Sequence, residues 1–354
     1  MNQWQRLSTV DQFTAHLRAG LLSGHWTGTM PGELRLAEEF GINRKTVKAA
    51  LERLEQEGLL VGQGTGRRRK IVLPEGHTPP ALRVGILVYD SAEHEFILDL
   101  RHLLEKAGHT PFFPAKTMED LGMDVRRVAR LVQKTEADAW VVVSASREVL
   151  EWFAQQETPV FAVFGNRSGL PIAGSGPDKT PALAEATRRL VALGHRRISL
   201  LCHREHRLPQ PAKAIRALFD ELEAAGITTG AFNLPDWEES KEGFGRVFDS
   251  LFGTTPPTAL ILDEPFLFHA GFHHLARLGL RVPEDVSLVC TDPDPTFTWC
   301  APSVAHISWD YRPVVRRVVR WARNISQGKE DTRQTMIKAE FVEEGTIGPV
   351  GGGN

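Results

Sequence analysis

The chain has 354 residues, 42% of them apolar and 24% charged, with 42 Lys and Arg against 44 Asp and Glu for a formal net charge of −2. That length predicts two or three domains of ordinary globular composition, and the near-neutral total singles out no partner. The three cysteines, Cys202, Cys290 and Cys300, are odd in number and lack paired spacing, which excludes a disulfide framework and suits a reducing cytosol.

The opening residues MNQWQRLSTVDQF have no apolar core and no small-residue cleavage site, so a signal peptide is not expected. No stretch approaches the roughly 20 apolar residues of a membrane helix. The expectation is a cytoplasmic protein without a membrane partner. The neutral average conceals an asymmetry: residues 1–82 carry 11 Lys and Arg against 8 Asp and Glu, and the remainder 31 against 36. A basic N-terminal module on a mildly acidic body follows.

Ser8 or Thr9 caps a predicted first helix in which Val10, Phe13, Leu17, Leu21 and Leu22 recur at helical spacing. A second short helix follows Pro31, with Leu34, Leu36 and Ala37 expected to face inward. Gly41 breaks the chain before a third helix over residues 43–57, whose stripe is Val47, Ala50, Leu51 and Leu54, and Gly58 stops it. LLVGQGTGRRRKIVL reads as a hairpin around a glycine-rich turn. Three helices and a hairpin make a winged helix-turn-helix over residues 1–73, and the proline-rich 74–82 reads as a linker.

From Arg83 the pattern changes to strands alternating with helices: RVGILVYD, DAWVVVSA, PVFAVFG, RISLLCH, PTALILD and DVSLVCTD are the predicted strands. Continuous apolar strands separated by helices imply parallel sheets covered on both faces. The span 83–344 exceeds what one sheet usually takes, so the expected fold is α/β with two Rossmann-like lobes and a cleft between them. The glycine-rich residues 345–354 read as a flexible tail.

In a helix-turn-helix the second helix of the motif places its N-terminal residues against base edges in the major groove. Here those residues are Asn43, Arg44, Lys45 and Thr46, with Lys48 one turn on. Arg44 has the fork that matches a guanine edge, whereas Thr46 and Lys48 suit phosphates or a thymine methyl group. The wing, Gly64, Thr65, Gly66 and Arg67, offers close backbone approach and an arginine for phosphate or minor groove. Arg68, Arg69 and Lys70 alternate in part across a strand, so only some face DNA.

The arrangement MPGELRLAEEFGINRKTVKAALERLEQEGLLVGQGTG resembles the GntR family of bacterial winged-helix regulators, with Pro31, Leu36, Gly41, Arg44, Thr46, Val47, Gly58 and Gly64 among the matching positions. By that resemblance Arg44, Thr46, Lys48 and the Gly64 wing tip contact operator DNA. The family usually has arginine where this chain has Leu34 and glutamate where it has Arg35, so either Arg35 takes over that phosphate contact or the contact is missing. The body resembles the lactose-repressor family's effector domain, itself similar to periplasmic sugar-binding proteins, through LVALGHRRISLL and LARLGLRVPEDVSLVCTD. The combination is similar to arabinose-responsive repressors. It implies a homodimer, a pseudo-palindromic operator and a small-molecule effector of the sugar class, with no cofactor.

Sugar recognition needs carboxylates and amide or basic groups for hydroxyls and an aromatic face for the ring. In such sheets ligands bind beyond the carboxyl ends of strands. The candidates are Asp90, Asp263, Glu264 and Asp292 after predicted strands, Trp309 and Tyr311 in HISWDY, and Arg207 and Lys213 as the basic groups nearest the family's ligand-gripping arginine. The family's Asn-Asp pair is replaced by Asp263-Glu264-Pro265 and its Asp-Asp by Asp292-Pro293. That departure motivates an alternative, a ligand-independent regulator whose C-terminal domain only dimerises or recruits a protein. His203 and His206 in CHREH do not form HExxH, and His269 and His273 stand four apart without a third ligand motif, so no metal is expected. Neither a glycine-rich phosphate loop nor GxSxG occurs, and no catalytic residue is expected.

Overall fold

Helix α1 (Thr9–Leu22) begins at Ser8, whose hydroxyl accepts the Asp11 amide at 3.2 Å while the Asp11 carboxylate accepts the Ser8 amide at 3.1 Å. This reciprocal cap satisfies N–H groups that a helix start leaves without intrahelical partners. The computed structural model describes residues 8–22, 26, 29–64, 68–72, 80–208 and 210–351.

After α1 come α2 (Glu33–Phe40) and α3 (Arg44–Gln56). Phe13, Leu17 and Leu21 of α1 pack with Leu36 of α2 and Leu51 and Leu54 of α3 in one buried core. Leu34 does not join them. It is 61% exposed, because two residues along a helix turn about 200° and Leu36 already occupies the inward face. Gly41 joins α2 to α3 at φ 60° and ψ 30°, and its N–H donates to Ala37 O. A side chain there would strain the left-handed backbone. Gly20 is fixed for another reason: a Cβ would lie 2.5 Å from Cζ3 of the buried Trp26.

Strands β1 (Leu60–Val61) and β2 (Lys70–Ile71) pair antiparallel, Leu60 with Ile71 and Val61 with Lys70. They form the expected hairpin. Its tip at Thr65, Gly66 and Arg67, and residues 73–79, which hold most of the expected linker over 74–82, lie outside the described residues.

All six predicted strands are present, but the alternation is not strict, because further strands and helices that the apolar runs did not announce stand among them. The elements are β3 (Arg83–Leu87), α4 (Glu95–Lys106), β4 (Thr110–Phe112), α5 (Val125–Gln133), β5 (Ala139–Val143), α6 (Arg147–Phe153), β6 (Val160–Val163) and β7 (Ala173–Asp178). Next come α7 (Thr180–Ala192), β8 (Ile198–Leu201), α8 (Arg204–Arg207), α9 (Lys213–Ala224), α10 (Lys241–Thr254), β9 (Ala259–Leu262), α11 (Pro265–Arg277) and β10 (Ser287–Cys290). A 3-10 turn at Pro295–Trp299 leads to β11 (His306–Ser308), α12 (Arg312–Ser326), β12 (Gln334–Lys338) and β13 (Glu340–Val342).

One sheet runs β12-β7-β6-β5-β3-β4 and the other β13-β11-β10-β9-β8. β3 to β7 pair parallel, as do β8 to β11, whereas β13 runs antiparallel to β11, so the second sheet is mixed rather than purely parallel. β5, β6, β8, β9 and β10 are buried along their whole length, which is why they read as unbroken apolar runs.

The chain divides into two compact units, residues 1–175 with 314–334, and 176–313 with 335–354, so it passes between them three times. The span read as one domain over 83–344 thus contributes to both units, and the helix-turn-helix groups with the first α/β sheet.

The stretch read as a flexible tail is packed through residue 351. Thr346 is fully buried, its hydroxyl donating to Leu288 O and accepting the Ala305 amide, both at 2.8 Å. Gly348 O lies 3.0 Å from His195 Nε2, and Val350 N donates to Leu193 O at 3.0 Å. Glycine content misled because these glycines let the strap run close to the sheet: a Cβ on Gly351 would sit 3.0 Å from Glu284 O.

Candidate functional site

Two places gather functional chemistry. The first is the start of α3. Asn43 caps it, its side chain accepting the Lys45 amide at 2.8 Å. That cap orients the first turn, leaving Arg44, Lys45 and Lys48 exposed and Thr46 half-buried beside the buried Val47. Arg44 Nε lies 3.3 Å from Glu33 Oε2, with the arginine side chain 65% exposed. The fork therefore stays in solvent and is steadied rather than neutralised, since exposed pairs of this kind contribute about 0–1 kcal/mol. Lys48 rests 3.7 Å from Glu52. Arg35 is exposed on α2 and Gly64 is exposed at φ 101° at the end of β1's strand turn.

Arg69 turns away from that surface. Its side chain is 20% exposed and reaches Glu55 at 3.0 Å and Glu33 at 3.5 Å. It ties the wing to α2 and α3. Of the basic run at the hairpin, Arg69 is thereby a structural residue, while the predicted contacts Thr65 and Arg67 lie outside the described residues.

The second place is the carboxyl end of the second sheet. Asp263 follows β9, and Thr291 and Asp292 follow β10. Lys179, between β7 and α7, sets Nζ 2.6 Å from Asp292 Oδ2, and the Trp309 indole donates to Asp292 Oδ1 at 2.9 Å. The Thr291 hydroxyl lies 2.5 Å from Asp263 Oδ1 and 3.1 Å from Asp292 Oδ2, linking the two carboxylates. His206 Nδ1 is 2.7 Å from Asp263 Oδ2. His203 stands between Glu239 at 3.3 Å and Glu264 at 3.6 Å.

These groups perturb one another strongly. Burial alone would raise the Asp263 carboxyl, but His206, Lys179 and the Thr291 hydroxyl hold it well below the usual carboxylate range. Burial pushes Asp292 up, opposed by Lys179 and reinforced by Asp263. Burial works against the Lys179 ammonium, yet Asp292, Asp263 and Glu264 outweigh it and keep the lysine charged. For His203 burial is likewise outweighed, by Glu239 and Glu264, and its pKa is pushed up to about 11. Cys202 and Cys290 are raised by burial and stay thiols.

Of the sequence candidates, Asp263, Glu264, Asp292 and Trp309 come together here. Arg207 meets this group only from behind, its Nη1 3.7 Å from Glu239 Oε1. It is 4% exposed, donates to Trp237 O at 2.5 Å and pairs with Asp236 at 2.9 Å, bracing the chain beyond α8. Lys213 is exposed at the first position of α9 and makes no ion pair among the described residues. Tyr311 is half-buried two residues past Trp309. Asp90 belongs to the first unit, where it is exposed, accepts the Ser91 amide at 2.6 Å and lies 3.5 Å from His94.

Lys179 and Thr291 escaped the sequence reading, and His203 and His206 were weighed there only as metal ligands. Lys179 and Thr291 directly neighbour strands, a signal that could have found them; the histidines could not be placed without α8. Backbone strain marks the same ends. Ser144, Phe164 and Glu264 have φ of 56°, 60° and 62° just beyond β5, β6 and β9. Non-glycine residues persist in that region where surrounding structure enforces it, often at ligand sites. In the first unit Phe164 also packs on Phe96 with ring centroids 5.5 Å apart.

Comparison with known proteins agrees with this division. Residues 9–67 match the family model of bacterial regulatory proteins, gntR family, and residues 187–346 match that of the periplasmic binding protein-like domain. The HTH-type transcriptional regulator MalR of Streptomyces coelicolor is 25% identical over 215 residues, 58% of this chain and 61% of that protein. The chain spans between 26% and 61% of the length of the curated relatives it matches. Among solved structures, the transcriptional regulator CelR–cellobiose complex aligns with a TM-score of 0.62 at 16% identity, covering 90% of this chain and 100% of that one. The lac repressor dimer bound to operator and the anti-inducer ONPF aligns at 0.61 and 16% identity, covering 76% and 95%. At such identities the likeness is one of fold. Among the described residues no helix is long and apolar enough to cross a membrane.

Proposed function

We propose that this chain, a gntR-type DNA-reading segment joined to a periplasmic binding protein-like domain, is a ligand-responsive transcriptional regulator. Two copies present two α3 helices to a pseudo-palindromic operator, since two-fold protein symmetry matches two-fold half-sites. Arg44 reads a base edge, and Asn43, Lys45, Thr46, Lys48, Arg35 and the wing at Gly64, Thr65 and Arg67 position the helix on phosphates. The effector is a small polyhydroxylated molecule, a sugar, held at the carboxyl ends of the second sheet by Asp263, Asp292, Lys179 and Trp309. The observation that carries this is the carboxylate pair of the buried Asp263 and the half-buried Asp292, bridged by Thr291 and flanked by an indole. Carboxylates accept two hydroxyls at once and an indole covers a sugar's C–H face.

The relatives' names support this reading: one solved neighbour holds cellobiose and another is an operator complex. Regulation requires the ligand to bind one conformation of the domain more tightly than another. The test is selection of an operator from random duplexes with the full chain, followed by titration of mono- and disaccharides. A sugar that changes operator affinity supports the proposal; a selected operator indifferent to every sugar counts against its sensory half.

One observation favours a second reading. The polar groups at the strand ends satisfy one another through Lys179–Asp292 and His206–Asp263 pairs, which suits a domain that needs no ligand and serves only to dimerise or recruit a protein. Thermal shift separates the readings: a ligand at 100 times its dissociation constant stabilises by about 2.7 kcal/mol, and no sugar would do so under the second.

A further inference from the structure

Helix α12 carries five arginines and no acidic residue in fifteen positions, RPVVRRVVRWARNIS. Helix α5 is likewise of one sign, with three arginines in nine positions, but α12 carries more of them over a longer span. Four of the five, Arg312, Arg316, Arg320 and Arg323, are exposed and fall on one side at spacings of four, four and three, while Val314, Val315, Val318 and Trp321 face the core. The stripe is roughly 16 Å long at the α-helical rise.

The fifth arginine shows what a structural role looks like in this helix. Arg317 is buried, forks onto Asp331 at 2.6 and 3.0 Å, donates to Arg333 O at 2.8 Å and lies 5.3 Å from the Phe161 ring centre. Arg312 is balanced by Asp310 at 2.8 Å. Among the described residues no carboxylate lies within ion-pair distance of Arg316, Arg320 or Arg323. A solvated helix face normally mixes signs at the i,i+4 spacing, as α4 does with Arg101 and Glu105 at 3.0 Å.

The stripe's far end lies toward the point where the chain arrives from the helix-turn-helix. Arg323 acts on His109, whose pKa is lowered by burial and by that arginine. His109 Nδ1 in turn accepts the amide of Leu82, the residue before β3, at 3.3 Å. The linker read at 74–82 ends at that residue, and α12 and the helix-turn-helix belong to the same compact unit.

We propose that Arg316, Arg320 and Arg323 form a second, sequence-independent DNA contact, taking the phosphate backbone of duplex flanking the site that α3 reads. The charge argument selects this occupant. Duplex DNA is a continuous row of negative charge, about one per 1.7 Å of axis, and arginines one helical turn apart match a row rather than a single anion. Arginine forks bind phosphate oxygens in pairs and specify no base. The contact lengthens the footprint and raises affinity for long DNA without changing the sequence read. It rests on the proposed DNA-binding function but not on the effector site.

The test uses the full chain, a selected operator core of 22 base pairs, and the same core centred in 60 base pairs. For the unsubstituted chain the longer duplex is bound more tightly, with a steeper fall in log affinity against log salt. In Arg316→Gln/Arg320→Gln/Arg323→Gln that added slope shrinks by about 2.7 per copy, about 5.4 for the two copies, or about 1,800-fold in affinity between 50 and 200 mM salt if all six phosphates are lost. Binding to the 22-base-pair core and the melting temperature stay unchanged, which separates this result from failure of the reader or of folding.

A control removes equal charge elsewhere: Arg126→Gln/Arg130→Gln/Lys134→Gln. These residues are exposed on and just beyond α5, which packs through Val128 with Ala162, whereas Trp321 of α12 packs on Phe161. Adjacent strand residues face opposite sides, so α5 and α12 cover opposite faces of the sheet. The control keeps the length dependence. The proposal is overturned if the unsubstituted chain binds both duplexes alike, if the α12 variant keeps its length dependence, or if both variants lose it equally. A stripe without effect on long DNA would leave an acidic protein surface as its occupant instead.

Discussion

Lys179 Nζ lies 2.6 Å from Asp292 Oδ2, and the two side chains are only 23% and 15% exposed. The pair joins the loop before α7 to the end of β10, and Thr291 extends it to Asp263. Removing the lysine leaves two neighbouring carboxylates without their shared cation.

Lys179→Met should therefore destabilise the protein by about 2–4 kcal/mol near neutral pH, as breaking one side of a buried pair does. The sign with pH follows from Asp292. Its carboxyl is already raised by burial and by Asp263, with Lys179 opposing, and without the lysine it rises further. A carboxyl raised on folding stabilises below its folded pKa and loses that contribution as pH rises through it. The variant's deficit, read from denaturant midpoints, should be smaller at pH 5 than at pH 8. An equal deficit at both would contradict the charge account.

His203 should make stability fall with rising pH. Its pKa is pushed up to about 11 from 6.5, against burial, by Glu239 and Glu264. The folded chain thus holds the proton more tightly than the unfolded one. That contribution is full below about pH 6.5 and is lost as pH rises toward 11. Melting curves of His203→Gln should show a flatter decline between pH 7 and 10, by about 2 kcal/mol or more. Parallel profiles for the two proteins would place the histidine outside the cluster's charge balance.

Arg44→Ala should leave stability within about 0.5 kcal/mol, because its contact with Glu33 is exposed. Operator binding should weaken by about 1–3 kcal/mol, with relaxed preference at one base pair. Competition with operators altered one position at a time reads both effects. Uniform weakening at every position would make Arg44 a phosphate contact.

Thr346→Val keeps the side-chain shape but removes the hydroxyl that serves Leu288 O and the Ala305 amide. Orphaning buried backbone groups should cost about 1–3 kcal/mol. A melting temperature equal to that of the unsubstituted protein would mean residues 345–351 contribute nothing to the second unit.

Much of the reader was legible because its determinants are local. Gly41, the Asn43 cap and the apolar stripe of α3 are each readable within a few residues; the structure selects Ser8 over Thr9 as the first cap, with Asp11 as its reciprocal partner, and adds the bracing Arg69. Leu34 was misplaced since a short helix with four apolar residues, Leu34, Leu36, Ala37 and Phe40, has more than one inward face on paper. The strand ends carrying Asp263 and Asp292 were visible as the ends of apolar runs. Their partners were not: Lys179 and Asp292 are 113 residues apart, and no periodicity connects them.

By itself the sequence determined the kinds of element, the helix-turn-helix and its exposed arginine, and the two-sheet α/β body, because capping, glycine breaks and burial patterns act over one or two turns of chain. Tertiary structure alone decided which charges meet. It turned Arg207 and Arg69 into braces, drew Lys179 and His206 onto the carboxylates, packed the glycine-rich terminus against Leu288 and Ala305, and left four of the five α12 arginines facing outward. Electrostatic pairing depends on distance in space, and that distance is set only once the sheets have formed.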